Sequence, residues 1–120
     1  MLPPHLKLPG SENFRSVIRR GHRAGRSTVV LHVLHEPTAT RGYSPRFGLI
    51  VSKAVGNAVV RHATSRKLRH AIMQLLPLFP ADADVVVRAL PKSGEATLDE
   101  LVDDIRSGLE KIQRRSKKSE

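Results

Sequence analysis

The stretch between Gly56 and Pro77 constrains this chain most, because it combines a helical apolar repeat with an unbalanced row of cations. At about 100° per residue, a helix over residues 58–76 gathers its apolar side chains into a single arc. That arc contains Val60, Thr64, Leu68, Ala71, Ile72 and Leu75. Asn57 is a suitable N-cap residue, and Pro77 cannot continue a helix. The pattern predicts a helix that packs one side against a sheet.

The other side of this helix is basic, and residues 53–71 contain no acidic side chain. Its cationic or titratable side chains are Arg61, His62, Arg66, Lys67, Arg69 and His70. A helix face that is only solvated normally mixes charges of both signs, as residues 97–115 do. Guanidinium groups on a rigid helix suit phosphate oxygens, which they bind bidentately. The helix is therefore predicted to bind phosphate groups.

Two further helices and three strands are predicted around this segment. Ser11 as N-cap and Gly21 as a stop bound a short first helix, and Thr97 with Glu100 has the spacing of a capping box for the last one. Strands are predicted at residues 27–35, 46–53 and 84–90, with a hairpin loop at 36–45. The order α-β-β-(β)-α-β-α, with room for one short extra strand, predicts an α+β fold. We expect a small two-layer sandwich with its helices on one face of the sheet.

The net charge of +10 is unevenly placed along the chain. Residues 1–76 hold 13 Lys and Arg against 2 acidic residues, whereas residues 77–120 hold 8 against 9. Such an uneven distribution of positive charge is typical of proteins that bind polyanions. We expect residues 11–115 to form a single RNA-binding domain, residues 1–10 a flexible basic arm, and residues 116–120 a disordered tail.

The composition also limits which cellular compartment and which kinds of partner we expect. Cysteine is absent, which excludes disulfides and thiolate metal sites and fits a reducing cytoplasm. No apolar run approaches the roughly 20 residues of a membrane span, and the N-terminus lacks the apolar region of a signal peptide. Lipid-binding helices place Trp, Phe or Leu opposite their basic face. We therefore expect a cytoplasmic protein with a nucleic-acid partner and no membrane partner.

The sequence does not predict a nuclease that works alone. Metal-dependent nucleases need several convergent carboxylates to hold Mg²⁺, and the basic region offers only Glu12 and Glu36. A mechanism that uses two histidines needs them to face each other, but His32 and His35 point to opposite faces of a strand. If the protein takes part in RNA cleavage, another component must supply the chemistry.

Two other binding functions stay open at this point. A structural RNA-binding protein of the ribosomal type, without a role in catalysis, would have the same charge, size and layout. A DNA-binding module could insert the basic helix into a major groove, although the helix has few side chains suited to base edges apart from its Arg and His.

The run RFGLIVSKAVGNAVVRHATSRKLRHA resembles the signature of the bacterial ribonuclease P protein subunit. The residues in register with that family are Arg46, Gly48, Leu49, Val51, Ser52, Lys53, Val55, Gly56, Asn57, Ala58, Val59, Arg61, Arg66, Leu68 and Arg69. The flanking segments ENFRSVIRRGHR and DVVVRALP are also similar to the family's first helix and to its strand after the basic helix. The resemblance covers about residues 6–112 and favours this family over the ribosomal alternative.

The resemblance implies a partner and a reaction. The family's members bind a catalytic RNA and together with it remove the 5′ leader of precursor tRNA by Mg²⁺-dependent hydrolysis, with the metal ions on the RNA. No catalytic residue and no metal ligand is then expected on this chain, which would be an enzyme only as a subunit. The family also implies a ribosomal protein S5 domain 2-like fold with a left-handed β-α-β crossover.

The resemblance further implies two groups of binding residues. The group expected to meet the catalytic RNA is Lys53, Asn57, Arg61, His62, Ser65, Arg66, Lys67 and Arg69. The group expected in a cleft for the single-stranded leader, between the first helix and the sheet, is Phe14, Ile18, His32, Arg46 and Phe47.

This chain departs from the family inside the basic helix. The family's Arg-Asn-Arg reads Arg61-His62-Ala63 here, and Ser65 stands where a Lys is common. Fewer phosphate contacts would make the salt dependence of RNA binding shallower. Our hypothesis is that the helix still binds RNA, with altered contacts around Ala63.

Overall fold

The computed structural model describes residues 2–35 and 44–119, with side chains to residue 115. The helices are α1 (Ser11–Arg20), α2 (Ala58–Leu75) and α3 (Leu98–Ser119). The strands are β1 (His22–Gly25), β2 (Val29–His35), β3 (Arg46–Ile50) and β4 (Ala83–Ala89). Short 3-10 turns lie at Pro4–Leu6, Lys53–Val55, Leu76–Leu78 and Pro91–Glu95. The predicted α+β class and order of elements are confirmed, and β1 is the extra strand that the sequence did not locate.

The four strands form one sheet in the order β1-β2-β4-β3. The pairs β1–β2 and β2–β4 are antiparallel, and β3 pairs with β4 in parallel. β1 has no β-branched residue. It forms because a tight hairpin brings it beside β2, with the Arg26 N–H donating to the Val29 carbonyl at 2.8 Å. Most of the predicted hairpin loop at 36–45 lies outside the described residues.

The main core lies between the sheet and the two long helices. Alternate residues of β2 and β4, such as Leu31, Val85 and Val87, are buried against α2 and α3. Leu68 and Ile72 from α2 and Ile105 from α3 fill the same cluster. The sheet packed against α2 and α3 is the predicted two-layer sandwich.

The first helix lies on the opposite face, so the prediction that all helices share one face was wrong. Val17 of α1 packs with Val86 and Leu8 in a second, smaller cluster. The physical reason is that β2 and β4 are apolar at successive positions rather than alternately, which is typical of strands covered on both faces.

The N-terminal residues belong to the folded domain, so the prediction of a flexible arm was wrong for residues 2–10. Leu2, Leu6 and Leu8 are buried, and the Leu8 N–H donates to the Phe47 carbonyl at 2.9 Å. The three leucines cover apolar surface at the outer edge of β3. At the other end, the backbone of α3 continues to Ser119, where a disordered tail was predicted.

Two of the predicted helix caps are present. The Asn57 Oδ1 accepts a hydrogen bond from the Val60 N–H at 3.0 Å. The Thr97 and Glu100 side chains each accept from the other's backbone N–H, which is the predicted capping box. Ser11, in contrast, is the first residue of α1, and Gly10 occupies the N-cap position with a φ of 75°.

The connection from β3 through α2 to β4 is left-handed. The Phe47 side chain points to the face that carries α2, and its carbonyl accepts the bond from Leu8 on the outer side of β3. When β3 is drawn running upward with the Phe47 side chain toward the viewer, the chirality of an L-residue places the Phe47 carbonyl on the right. Because that carbonyl faces the outer side of β3, β4 lies on the left. The chain thus passes in front of the sheet to a parallel strand on the left, against the usual preference. The implied crossover is confirmed.

Within the described part of the chain, no helix is both long and apolar enough to cross a bilayer.

Candidate nucleic-acid interface

Helix α2 is held rigidly because its predicted apolar arc is buried. Thr64, Leu68, Ala71, Ile72 and Leu75 are the buried residues of this helix, and Val60 packs at the edge of the same cluster. The Thr64 hydroxyl, buried with them, donates to the Val60 carbonyl at 2.8 Å. The basic side of α2 is therefore presented in a fixed orientation.

Arg61 and Arg69 lie on the flank of α2 that faces the end of β3. Both are half-buried, and the Nε of each is shielded from solvent without a hydrogen-bond partner among the described residues. Buried guanidinium donors are nearly always satisfied. Arg61 also lines a shallow basin of about 220 Å³ with Val51, Ala58, His62 and Ser65. This flank thus combines unsatisfied donors with open space.

The remaining predicted RNA contacts are distributed around this flank. Lys53, His62 and Arg66 are exposed, and no described carboxylate pairs with them. Asn57 is exposed as well, but its side-chain oxygen is occupied by the helix cap.

Lys67 is separated from the other predicted RNA contacts. It is two positions from Arg69 and therefore lies on nearly the opposite flank of α2. Its Nζ donates to the Ala96 carbonyl at 3.0 Å, which ties α2 to the start of α3. The structure thus gives Lys67 a tethering contact and does not bring it together with the Arg61 flank.

On the other face of the sheet, α1 and the strands form the region predicted to hold a leader. The Phe14 ring lies directly over Gly48, since a Cβ at Gly48 would collide with the ring. One turn further along α1, Ile18 is 41% exposed, so it does not pack beneath the helix. Phe14 and Ile18 thus leave apolar surface available beside the sheet.

His32 is the buried polar group of this region. Its side chain lies on the α1 face, it is 4% exposed, and its Nδ1 has no hydrogen-bond partner among the described residues. Burial lowers the pKa of His32, and the positive charges of Arg23 and Arg88 lower it further. The imidazole is therefore neutral near pH 7, with one nitrogen that donates and one that accepts.

Arg46 does not offer its guanidinium to the region. Its Nε and Nη2 donate to the two carboxylate oxygens of Asp84, each at 2.8 Å. The hydrogen bond from Asp84 is the main cause that raises the pKa of Arg46. Asp84 is buried, so this pair is a structural contact, and the prediction of Arg46 as a leader contact is not supported.

Phe47 points the wrong way for the predicted cleft. Neighbouring residues of a strand alternate between faces, so Phe47 enters the main core while Arg46 and Gly48 face α1. Its ring packs edge-to-face on Phe79 with centroids 4.9 Å apart, and the residue is 2% exposed. Phe47 lines the groove beside Phe14, but its ring is buried, so the structure does not support the ring as a leader contact.

A groove joins the two predicted groups around the edge of β3. It has a volume of about 520 Å³ and is lined by Phe14 and Leu8 at one end and by His62 and Arg69 at the other. Lys7 of the N-terminal segment also lines it. The structure therefore places the Phe14 region and the basic helix on one continuous surface.

Two arginines near His32 were missed by the sequence analysis. Arg23 is directly opposite His32 in the β1–β2 register, and Arg88 follows two residues after Val86, the β4 partner of His32. Both are exposed. Strand register was the signal needed to find them, and the sequence does not reveal it.

The residues that the structure describes contain no group of three or more His, Asp or Glu side chains placed to hold a metal ion.

Fold and surface together define a small α+β protein that presents a rigid basic helix suited to a polyanion. The chain matches the family model for ribonuclease P over residues 2–113. It belongs to the ribonuclease P protein family.

Relatives of this family are similar over nearly their whole length. The ribonuclease P protein component of Corynebacterium diphtheriae is 55% identical over an alignment of 119 positions that spans 96% of this chain and 99% of that protein. The ribonuclease P protein component of Nocardia farcinica is 44% identical over an alignment of 130 positions that spans 93% of this chain and 83% of that protein.

Solved structures of the family share the fold. The RNase P protein from Staphylococcus aureus matches with a TM-score of 0.75 at 20% identity, covering 88% of this chain and 93% of that one. The protein from Thermotoga maritima matches with a TM-score of 0.72 at 18% identity, covering 90% and 96%.

Proposed function

We propose that this chain is the protein subunit of ribonuclease P. In this proposal it binds the catalytic RNA through α2 and the 5′ leader of precursor tRNA beside α1, and so assists endonucleolytic removal of the leader. The observation that carries the proposal is the pair of half-buried guanidinium groups, Arg61 and Arg69, with unsatisfied Nε donors and no carboxylate partner among the described residues.

Docking of the catalytic RNA is assigned to the Arg61 flank of α2. Phosphate oxygens would accept hydrogen bonds from the half-buried guanidinium groups of Arg61 and Arg69, and such charge-assisted hydrogen bonds are stronger than neutral ones. The basin beside Arg61 has room for a backbone phosphate, and the Ser65 hydroxyl at its wall can donate as well. Lys53, His62 and Arg66 extend the same positive surface.

Binding of the leader is assigned to the α1 side of the groove. Single-stranded RNA is held by stacking bases on planar side chains within a positive groove. Phe14 supplies a ring at the groove, Ile18 supplies exposed apolar surface, and His32 supplies an unpaired nitrogen.

The hydrolysis itself is assigned to the RNA partner. In this proposal the Mg²⁺ ions are held by the RNA of the holoenzyme, and the chain contributes binding and positioning alone. The holoenzyme would act in the cytoplasm, where precursor tRNA is made in bacteria.

A reconstitution tests the proposal. The protein is mixed with a bacterial ribonuclease P RNA and a precursor tRNA at low Mg²⁺, beside reactions with RNA alone and protein alone. We expect strong stimulation over RNA alone and no cleavage by protein alone. No stimulation together with tight binding to ribosomal RNA would favour the ribosomal alternative, and cleavage by protein alone would favour a self-sufficient nuclease.

Variants locate the RNA contact. Arg61→Gln and Arg69→Gln are each expected to reduce the slope of log affinity for the RNA against log salt by about 0.7 to 0.9 per lost phosphate contact. Arg106→Gln is the matched control, since Arg106 lies on α3 and pairs with Asp103 at 3.4 Å. Equal slopes in all four proteins would contradict the assignment.

A further inference from the structure

We propose that Arg23 and Arg88 form a phosphate-binding site on the α1 face of the sheet, on either side of neutral His32, and that this site takes a phosphodiester of single-stranded RNA. The inference rests on the proposed function, because the phosphodiester it commits to is that of the precursor tRNA leader. It adds two residues that lie outside the family signature around α2.

The sheet register brings the three side chains together. Arg23 is paired with His32 across β1 and β2, and His32 is paired with Val86 across β2 and β4. Directly paired residues have Cβ atoms about 4.5–5.5 Å apart, and diagonal neighbours such as His32 and Arg88 about 7–8 Å apart. Arg23 and Arg88 therefore flank the ring of His32 on the same face.

The electrostatics of this face favour an anion. Arg23 and Arg88 are exposed, and no carboxylate of the described residues pairs with either. Among the described strand residues, the acidic one on this face is Asp84, which lies beyond Val86 and is bound bidentately by Arg46. The positive charges of Arg23 and Arg88 repel each other, and an anion bound between them offsets that repulsion. A phosphodiester with two free oxygens can bind both guanidinium groups.

His32 supplies an independent sign that a ligand binds here. Its side chain is more than nine-tenths buried, and its Nδ1 has no partner among the described residues. An unsatisfied buried nitrogen costs free energy, which a ligand group can recover where the side chains around His32 move to admit it. Because the ring stays neutral between two cations, His32 can exchange a hydrogen bond with a base edge or a ribose hydroxyl while the phosphate binds the arginines.

Leader-dependent binding tests the site in the complete holoenzyme. The measured quantity is the ratio of the dissociation constants for mature tRNA and for precursor tRNA, over a series of salt concentrations. Arg23→Gln and Arg88→Gln are each expected to lower this ratio about tenfold to a hundredfold, the loss of one charge-assisted hydrogen bond. The salt dependence of the ratio should become shallower by about 0.7 per lost phosphate contact.

Arg114→Gln is the matched control, because it removes the same charge from an exposed position of α3 on the other face of the sheet. Thermal unfolding of each variant checks that the fold is intact. If the wild-type ratio is above one and both Arg23→Gln and Arg88→Gln leave it unchanged, the phosphate site is overturned and the proposed leader cleft stands. A wild-type ratio of one would overturn the leader cleft and the site together. Equal losses in all three variants would show a general charge effect and also overturn the site.

Discussion

Replacing Arg46 by methionine separates a structural role from a binding role for this residue. The substitution removes the guanidinium that donates twice to Asp84 at 2.8 Å, while keeping a similar apolar stem. The Asp84 side chain is 3% exposed, so its carboxylate would stay buried without the two hydrogen bonds that Arg46 donates. If Arg46 instead bound the leader, the same substitution would weaken RNA binding and leave stability nearly unchanged.

The expected loss of stability is large. Breaking a buried ion pair by removing one partner costs about 3–5 kcal/mol. At about 0.05–0.15 kcal/mol per residue, a chain of 120 residues has a free energy of unfolding of roughly 6–18 kcal/mol. Arg46→Met should therefore remove a substantial fraction of the total stability.

Urea unfolding of the two single variants and the double variant measures this loss. Arg46→Met with Asp84→Leu replaces the pair by apolar side chains, which is often neutral or stabilising. The double variant should therefore be more stable than Arg46→Met alone. A free energy of unfolding for Arg46→Met within about 0.5 kcal/mol of the wild type would refute the reasoning.

Two other substitutions test the α1 face. Gly48→Ala places a methyl group against the Phe14 ring and should lower the free energy of unfolding by about 1–3 kcal/mol. The same change in a Phe14→Ala background should be nearly neutral in thermal unfolding, and an equal loss in both backgrounds would contradict the contact. His32→Leu tests the lowered pKa of His32. Below a pH of about 6.5 the unfolded chain binds a proton at His32 more readily than the folded chain does. The wild type therefore loses stability as the pH falls. The free energy of unfolding of the variant relative to wild type should therefore rise from pH 7.5 to pH 5.5, and a difference independent of pH would count against it.

The elements themselves were largely predictable from local pattern. The apolar arc of α2 appears in the structure as predicted, because a helical period of 3.6 residues is a local property. The Asn57 cap and the capping box of Thr97 and Glu100 are also local, since each joins residues three apart. β1 was not located, because its formation depends on pairing with β2 and not on its own composition.

The binding surface was predictable only in part. Arg61 and Arg69 lie on the predicted basic flank because their positions follow from the same helical period. Arg46 and Phe47 were assigned by resemblance, and their side chains are engaged by Asp84 and Phe79, residues more than 30 positions away. Contacts between distant segments depend on strand order and register, which a single sequence does not specify.

The sequence by itself determined the α+β class, the amphipathic helix α2 and the concentration of positive charge in the first two thirds of the chain. These follow from residue chemistry and from spacing within single elements. Only the tertiary structure decided that α1 covers the second face of the sheet, that Leu2, Leu6 and Leu8 pack at the edge of β3, and that Arg23 and Arg88 flank His32. The physical reason is that packing and strand pairing join side chains far apart in the chain, and the lowest free energy of those contacts is a property of the whole fold.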